Sequence, residues 1–452
     1  MALSCLATGA QGAPTITGTT FRYAVTTVFD PDAGKYVAST SNAKAYKDPY
    51  LANSSFWAPV TPGKGEVTLQ FSFANPVISG SCFAHFYAAN FGGASGKASF
   101  WGSTDGSSWE LLMDVPTPTD VIAVGPDYRG LLPRSFLGSR SLWFQARMES
   151  TGNALWAQFM RNTGRSIEFP AFGLTAEMLP EPVLPASYTA IHVPSDIKTQ
   201  RQAGYGRLFS TTAFVKTGTG TLVLDQANEH TEGMAVRDGK IRLAHSAALG
   251  SSALAVLAGA EAQIAPDVHT TLAGLTVSGS ARFDVTTGRV TVSSGLTENQ
   301  LVAQIIAGRN GGDWQGASGI TSSIAAAFVN AGENRAVGWL DNGDGSFTFG
   351  YAVPGDTNLD ECVDILDVAN LLGGGKADSG AVATWADGDF NYDGNVDVLD
   401  IAEFTSSGLL NAGSYARQVG PITAVPEPGT LGLLSFFCAL GGLAMRRRRS
   451  AG

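Results

Sequence analysis

AFVKTGTGTLVLDQANEHTEGMAVRDGKIRLAHSAALGSS, residues 213–252, decides how the middle of this chain folds. Its short β-prone runs, TLVL, MAVR and KIRL, are parted by glycine-containing turns at a spacing of about 8–12 residues. No run is long enough to bury an apolar face by itself, so each needs a neighbour stacked on it. The same alternation continues in LAVLAG, AQIAP, GLTVSG, ARFDVTTG and RVTVSSG.

The stretch resembles the autotransporter-associated β-strand repeat. Lys216, Gly218, Gly220, Thr221, Leu222, Leu224, Asn228, Gly233, Val236, Gly239 and Leu249-Gly250 fall on its pattern. The resemblance implies a right-handed parallel β-helix over residues 206–295 that extends the molecule. A carbohydrate-cleaving β-helix needs clustered carboxylates, whereas Asp225, Glu229, Asp238 and Glu261 are scattered. Beyond it, residues 296–353 read as a mixed segment. LTENQLVAQIIAGRN predicts a helix, and VGWLDNGDGSFTFGY predicts a hairpin turning at Asn-Gly-Asp-Gly.

Residues 15–180 carry alternating strands without intervening helices, among them TFRYAVTTVF, EVTLQFSF, KASFWGS and SLWFQARME. That spacing predicts an antiparallel β-sandwich. The run SFWGSTDGSSWELL is similar to a hairpin of discoidin-type, galactose-binding-like jelly rolls, through Ser103, Asp105, Gly106 and Trp109. Such folds bind sugars through aromatic and arginine side chains on loops, which makes Trp57, Tyr128, Arg129, Arg147 and Arg161 candidate ligand residues. PEPVLPAS, residues 180–187, opens a stiff Pro-rich linker assigned to 181–205.

Acidity is concentrated in one place. Between Asp356 and Glu403 stand twelve Asp or Glu against one basic residue, Lys376. That window carries −11 in a chain of net charge −10, so the remainder sums to about +1. This points to a cation site more than to a whole-protein field. Within it, GDTNLDECVDILDV from Gly355 and GDFNYDGNVDVLDI from Gly388 repeat one ladder of carboxylates. A calcium loop of 12 residues takes oxygens from positions 1, 3, 5, 9 and 12 and a carbonyl from position 7. The first loop offers Asp356, Asn358, Asp360, Asp364 and Asp367 with the Cys362 carbonyl. The second offers Asp389, Asn391, Asp393, Asp397 and Asp400 with the Asn395 carbonyl. An amphipathic run follows each loop and predicts a helix.

Two loop–helix units with Asp at position 12 and no preceding helix resemble a type I dockerin domain, here residues 354–410. The resemblance implies Ca2+ as cofactor and a cohesin-like partner. Positions 10 and 11 depart from the hydroxyl or charged residues of cellulosomal dockerins: they are Ile365-Leu366 and Val398-Leu399. Position 6 favours glycine, because the backbone there takes a positive φ; the second loop has Gly394 but the first has Glu361. The first site is therefore expected to be the weaker.

A second linker, 411–424, leads to AVPEPGTLGLLSFFCALGGLAMRRRRSAG. Its apolar run, Gly429–Met445, is 17 residues long, at the lower limit for a transmembrane helix. Arg446, Arg447, Arg448 and Arg449 then act as a cytoplasmic stop. With Pro426, Glu427 and Pro428 this tail, residues 425–449, resembles the PEP-CTERM sorting signal, which implies an exosortase-type sorting enzyme as partner. Residues 1–14 read as a signal-peptide remnant with small residues ahead of a cleavage point. No basic patch suits nucleic acid, and the four cysteines lack metal or disulfide spacing. No HExxH, GxSxG or P-loop is present.

The expected fold class is mainly β: an antiparallel β-sandwich, a parallel β-helix, a small α dockerin-like calcium module and a C-terminal transmembrane helix. The expected function is that of an exported, surface-sorted, non-catalytic protein whose sandwich binds a glycan or surface polymer. A polysaccharide-degrading enzyme using the dockerin, and a purely structural envelope protein, are the alternatives.

Overall fold

The computed structural model describes residues 15–30, 32–48, 54–119, 121–162 and 170–415. Its architecture is mainly β. One sheet of the N-terminal sandwich runs through strands Thr20–Val25, Phe172–Met178, the first half of Val77–Phe91, and Asp127–Leu131. The facing sheet runs through Val37–Ser41, Gly63–Ser72, Ser141–Thr151, Ala94–Ser103 and Glu110–Val115. Strict alternation decides which way each side chain turns. Along Ser141–Thr151, Leu142, Phe144, Ala146 and Met148 are buried while Trp143, Gln145, Arg147 and Glu149 lie on the outer face. The two sheets meet through aromatic rings, with Phe71 stacked on Phe172 across the core at 6.0 Å. Each such ring contributes about 2–3 kcal/mol by leaving water.

The solenoid begins earlier than the sequence suggests. Tyr188–His192 and Ile197–Thr199, inside the span read as linker, are the first rung and pair in parallel with Ala213–Thr217 and Thr221–Leu224. Successive rungs keep register from Phe214 to Met234, Leu254 and Leu275. A second parallel sheet stacks Thr221–Leu224, Lys240–Leu243, Glu261–Ile264, Arg282–Asp284 and Gly319–Thr321. The solenoid thus extends to Thr321, into the span read as mixed.

Residues of the repeat pattern hold neighbouring rungs together. The Lys216 ammonium is fully buried and donates to the carbonyls of Gly218, Gly220 and Asp238. Burial draws its pKa down to about 8 against the pull of Asp238. Asn228 accepts from the Leu208 N–H, donates to the Ala248 carbonyl, and exchanges hydrogen bonds with Gln200. Lys216→Met keeps the stem but leaves three carbonyls without their donor. It should lower stability by about 2–3 kcal/mol, read by urea denaturation of the full chain; an unchanged midpoint would show that the ammonium is not a pin.

Helix α1, Glu298–Arg309, forms where predicted and starts in a capping box of Thr297 and Gln300. Helix α2, Ser323–Asn330, is capped by Ser322. The predicted hairpin is also present: Ala336–Asp341 pairs with Phe347–Ala352, whose other edge pairs antiparallel with Arg289–Val292. It therefore closes the third strand stack of the solenoid, which begins at His269–Leu272. Helices α3, Ile365–Gly373, and α4, Val398–Ser406, follow the two acidic loops.

Sandwich, solenoid, hairpin and acidic loops belong to one compact unit, Met1–Gly413. Among the described residues no helix is long and apolar enough to cross a membrane. The apolar run 429–445 expected to do so, the sorting motif and the signal-peptide remnant lie outside the described residues.

Candidate metal centre

The two acidic loops share their main hydrogen bonds and differ at one position 1 oxygen: Asp356 Oδ1 accepts from Asp360 N–H at 3.2 Å, whereas Asp389 Oδ1 has no partner. Position 1 is held by the amide of position 6: Glu361 N–H donates to Asp356 Oδ2 and Gly394 N–H to Asp389 Oδ2, both at 3.0 Å. At position 3, Asn358 accepts from Asp360 N–H at 2.9 Å and Asn391 from Asp393 N–H at 2.8 Å. Position 5 accepts from position 7: Asp360 from Cys362 N–H and Asp393 from Asn395 N–H. Position 12 closes the loop, for Asp367 accepts from the N–H of Thr357 and Asp364, and Asp400 from the N–H of Phe390 and Asp397. Two residues per loop take positive φ, Leu359 and Glu361 in the first, Tyr392 and Gly394 in the second.

Positions 9 and 12 also start the helices. Asp364 caps α3 by accepting from Leu366 N–H, with Asp367 returning to the Asp364 N–H; Asp397 and Asp400 do the same for α4. Such caps stabilise a helix by about 1 kcal/mol each. The position 9 carboxylates each cap a helix through one oxygen, Oδ1, while those of positions 1 and 12 are buried. Asp356, Asp367, Asp389 and Asp400 are all buried.

Burying four carboxylates is costly unless a cation compensates them. Burial, opposed by Arg134 and aided by Asp400, pushes Asp389 up to about 7. Burial likewise pushes Asp400 to about 6 and raises Asp367. Asp389 Oδ1 is buried without any hydrogen-bond partner. An orphaned carboxylate oxygen, aimed inward in a loop of alternating oxygen donors, fits a hard cation such as Ca2+. Among the described residues no three His, Cys, Asp or Glu side chains form a ready metal cluster. The remaining oxygens of each loop are the Asn358 or Asn391 amide, the Asp360 or Asp393 carboxylate and the carbonyl of Cys362 or Asn395.

The loops are tied to each other and to the body. Asn411 N–H, after α4, donates to the Val363 carbonyl of the first loop, and Asp378 N–H, after α3, to the Val396 carbonyl of the second. Trp385 is buried and donates to the Asp356 carbonyl at 2.6 Å. Tyr392 donates to the hairpin carbonyl of Val337 at 2.7 Å. At Gly338 a Cβ would fall 2.6 Å from Leu359 and 2.8 Å from Trp385. The apolar positions 10 and 11, Ile365, Leu366, Val398 and Leu399, are exposed.

Glu361 stands at φ 73, as a position-6 residue must. Its carboxylate lies 3.7 Å from both Arg289 and His269 on the solenoid. The strain of about 1 kcal/mol for a non-glycine residue is set against a half-exposed ion pair of about 0–1 kcal/mol. Glu361→Gly should therefore be close to neutral. Glu361→Ala keeps the strain, loses the pair, and should be about 1 kcal/mol less stable than Glu361→Gly in chemical denaturation. Equal stability of the two variants would remove backbone strain from the account.

Of the ligand residues proposed for the sandwich, Trp57, Tyr128, Arg129 and Arg161 are engaged in packing or ion pairs, the last with Asp48. Trp57 packs against the core on strand Ser55–Pro59. The Tyr128 ring meets Phe100 at 5.3 Å inside the sandwich. Arg129 pairs with Asp127, which also bonds His85 at 2.7 Å. Asp105 is likewise structural, its carboxylate held well below the usual range by the amides of Ser108 and Ser107. The more accessible feature is the outer face of the second sheet. A cleft of about 300 Å3 there is lined by Lys64, Glu66, Lys97, Asp114, Arg147 and Glu149. The Arg147 guanidinium lies 4.3 Å from the Trp101 ring and 5.8 Å from Trp109. Arg147, a candidate from the sequence, lies on this outer face, and the folded sheet brings two tryptophans beside it.

No protein-family model and no curated protein matches the chain. Among solved structures, TmCBM61 in complex with β-1,4-galactotriose is similar over 31% of this chain and 88% of its own, at 13% identity and a TM-score of 0.21. The Podospora anserina GH26-CBM35 β-(1,4)-mannanase is similar over 46% and 50%, at 10% identity and a TM-score of 0.19. The Agl-KA catalytic domain is similar over 63% and 54%, also at 10% and 0.19. The chain thus spans about half the length of the latter two. Scores this low establish no common fold.

Proposed function

We propose that this chain is a calcium-binding, exported surface protein without catalytic activity, in which a β-sandwich is presented on a solenoid stalk. The buried, partnerless Oδ1 of Asp389 carries the calcium reading. Asp356, Asn358, Asp360, Asp364, Asp367 and the Cys362 carbonyl would hold one ion; Asp389, Asn391, Asp393, Asp397, Asp400 and the Asn395 carbonyl would hold the other. The ions supply fixed positive charge that offsets the inward carboxylates. Export and sorting rest on the resemblance of residues 425–449 to the PEP-CTERM signal, with an exosortase-type enzyme as partner. Trp385, bonded to the Asp356 carbonyl, is a built-in reporter. Calcium should change its fluorescence in the full chain, and Asp356→Ala should abolish the part due to the first loop. A signal indifferent to calcium would refute the reading.

The sandwich is proposed to bind a glycan or surface polymer. The Arg147–Trp101–Trp109 stack beside the cleft favours this, since hydroxyl-rich ligands need directed donors and acceptors next to aromatic surface. A glycan array probed with the full chain tests it: Arg147→Ala should lose any binding that the unaltered chain shows, and absence of all binding favours the purely structural alternative.

A further inference from the structure

The same loop position does different work in the two copies. In the second loop, Gly394 leaves room for Arg134, which comes from the sandwich in the 3-10 turn Arg134–Phe136. A Cβ on Gly394 would fall 3.0 Å from Arg134 Cβ and Cδ. The arginine then reaches three other places. Its Nη1 donates to the Ala383 carbonyl at 2.5 Å, between the two loops. Its Nη2 pairs with Glu298 of α1 at 2.7 Å. Its guanidinium lies 5.5 Å from the Trp339 ring of the hairpin. Only about a tenth of this side chain is exposed, at 10%. In the first loop, the equivalent residue Glu361 turns instead to Arg289 and His269 of the solenoid.

In both copies this residue's own N–H also holds the position 1 carboxylate, at 3.0 Å. The residue that meets another module, Glu361 by its ion pair and Gly394 by the space it leaves for Arg134, is therefore the one that positions an ion ligand. We propose that the paired loops are an internal clamp, closed by calcium, whose partners are the sandwich and the solenoid of this same chain. The proposal rests on the calcium reading. With ions bound, each position 6 turn is held against its partner; without them the buried carboxylates repel and the turns open, so that Arg289 loses its pair with Glu361 and Arg134 loses the Ala383 carbonyl, whose own N–H is held by the Gly394 carbonyl. Coupling of this kind is reciprocal, so seating the sandwich also favours ion binding. It would also explain why the repeat is asymmetric at position 6, with glycine where an arginine must pass and glutamate where an arginine must be reached.

Hydrogen exchange of the full chain, read by mass spectrometry with and without chelator, tests this alongside a count of bound calcium. Chelation should speed exchange by about tenfold or more in residues 354–410 and in 133–138 of the sandwich, and by up to about fivefold in 289–292 of the solenoid. Loss of protection confined to 354–410, with calcium bound beforehand, would overturn the clamp and leave the calcium reading standing. Failure to take up calcium would overturn both. Arg134→Lys keeps a cation but not the planar fork. In saturating calcium it should speed exchange in 133–138 with both ions still bound, and exchange like that of the unaltered chain would overturn the role of Arg134.

Discussion

Stripping calcium from the full chain should destabilise it by about 5 kcal/mol, if free calcium had stood a hundredfold above its dissociation constant at both loops. Each site then contributes roughly 2.7 kcal/mol by mass action alone. The physical source is the set of inward carboxylates, Asp356 and Asp367 in one loop, Asp389 and Asp400 in the other. Their oxygens accept main-chain N–H bonds, yet Asp389 Oδ1 has none. The effect should not stay local, because Trp385, Tyr392 and Leu359 pack the loops onto the hairpin that closes the solenoid. Urea denaturation with and without chelator, followed by tryptophan fluorescence, measures it. Identical midpoints would contradict the account.

The pH dependence of stability should change sign with calcium. In the metal-free chain Asp389 is raised to about 7 and Asp400 to about 6, by burial first. In the unfolded chain both titrate near the ordinary value of about 4. Between these limits the native state holds more protons than the unfolded state, so stability is fully present below about pH 4 and is lost as pH rises through 6 to 7. At about 1.4 kcal/mol per unit, the loss across that window is on the order of 4–7 kcal/mol. With calcium bound, both carboxylates must be ionised, and acidification expels the ion. The calcium-loaded chain should then gain stability over the same rise in pH. Denaturation midpoints between pH 4.5 and 7.5 in chelator and in excess calcium should slope in opposite directions. Slopes of one sign would show that these carboxylates do not hold the ion.

Much of this was legible in the residue pattern, because it depends on local rules. Alternation along Ser141–Thr151 separates the core face from the outer face, and the duplicated ladder marks which oxygens belong to which loop. The positive φ at Glu361 follows from its place in the loop, since the turn requires it whatever the side chain. The first solenoid rung was hidden for a physical reason. Among the described residues its first strand pairs with one neighbour, Tyr188, Thr189 and Ala190 are exposed, and a half-covered strand shows no burial pattern. Leu359 and Tyr392 gave no hint of their left-handed backbone, because neither is a residue that seeks it. Nothing in LLPRSF marks Arg134 as a bridge between modules. Its role arises only where Gly394, Trp339 and Glu298 converge from distant parts of the chain. The same holds for the Arg147 stack, which needs two strands and the residue leading into a third brought side by side.

The most direct test of the central claim is a count of calcium ions in the purified full chain by equilibrium dialysis and elemental analysis. The account predicts two ions per chain, one after Asp389→Ala, and one after Asp356→Ala. No bound calcium, or a count that neither substitution lowers, would contradict it.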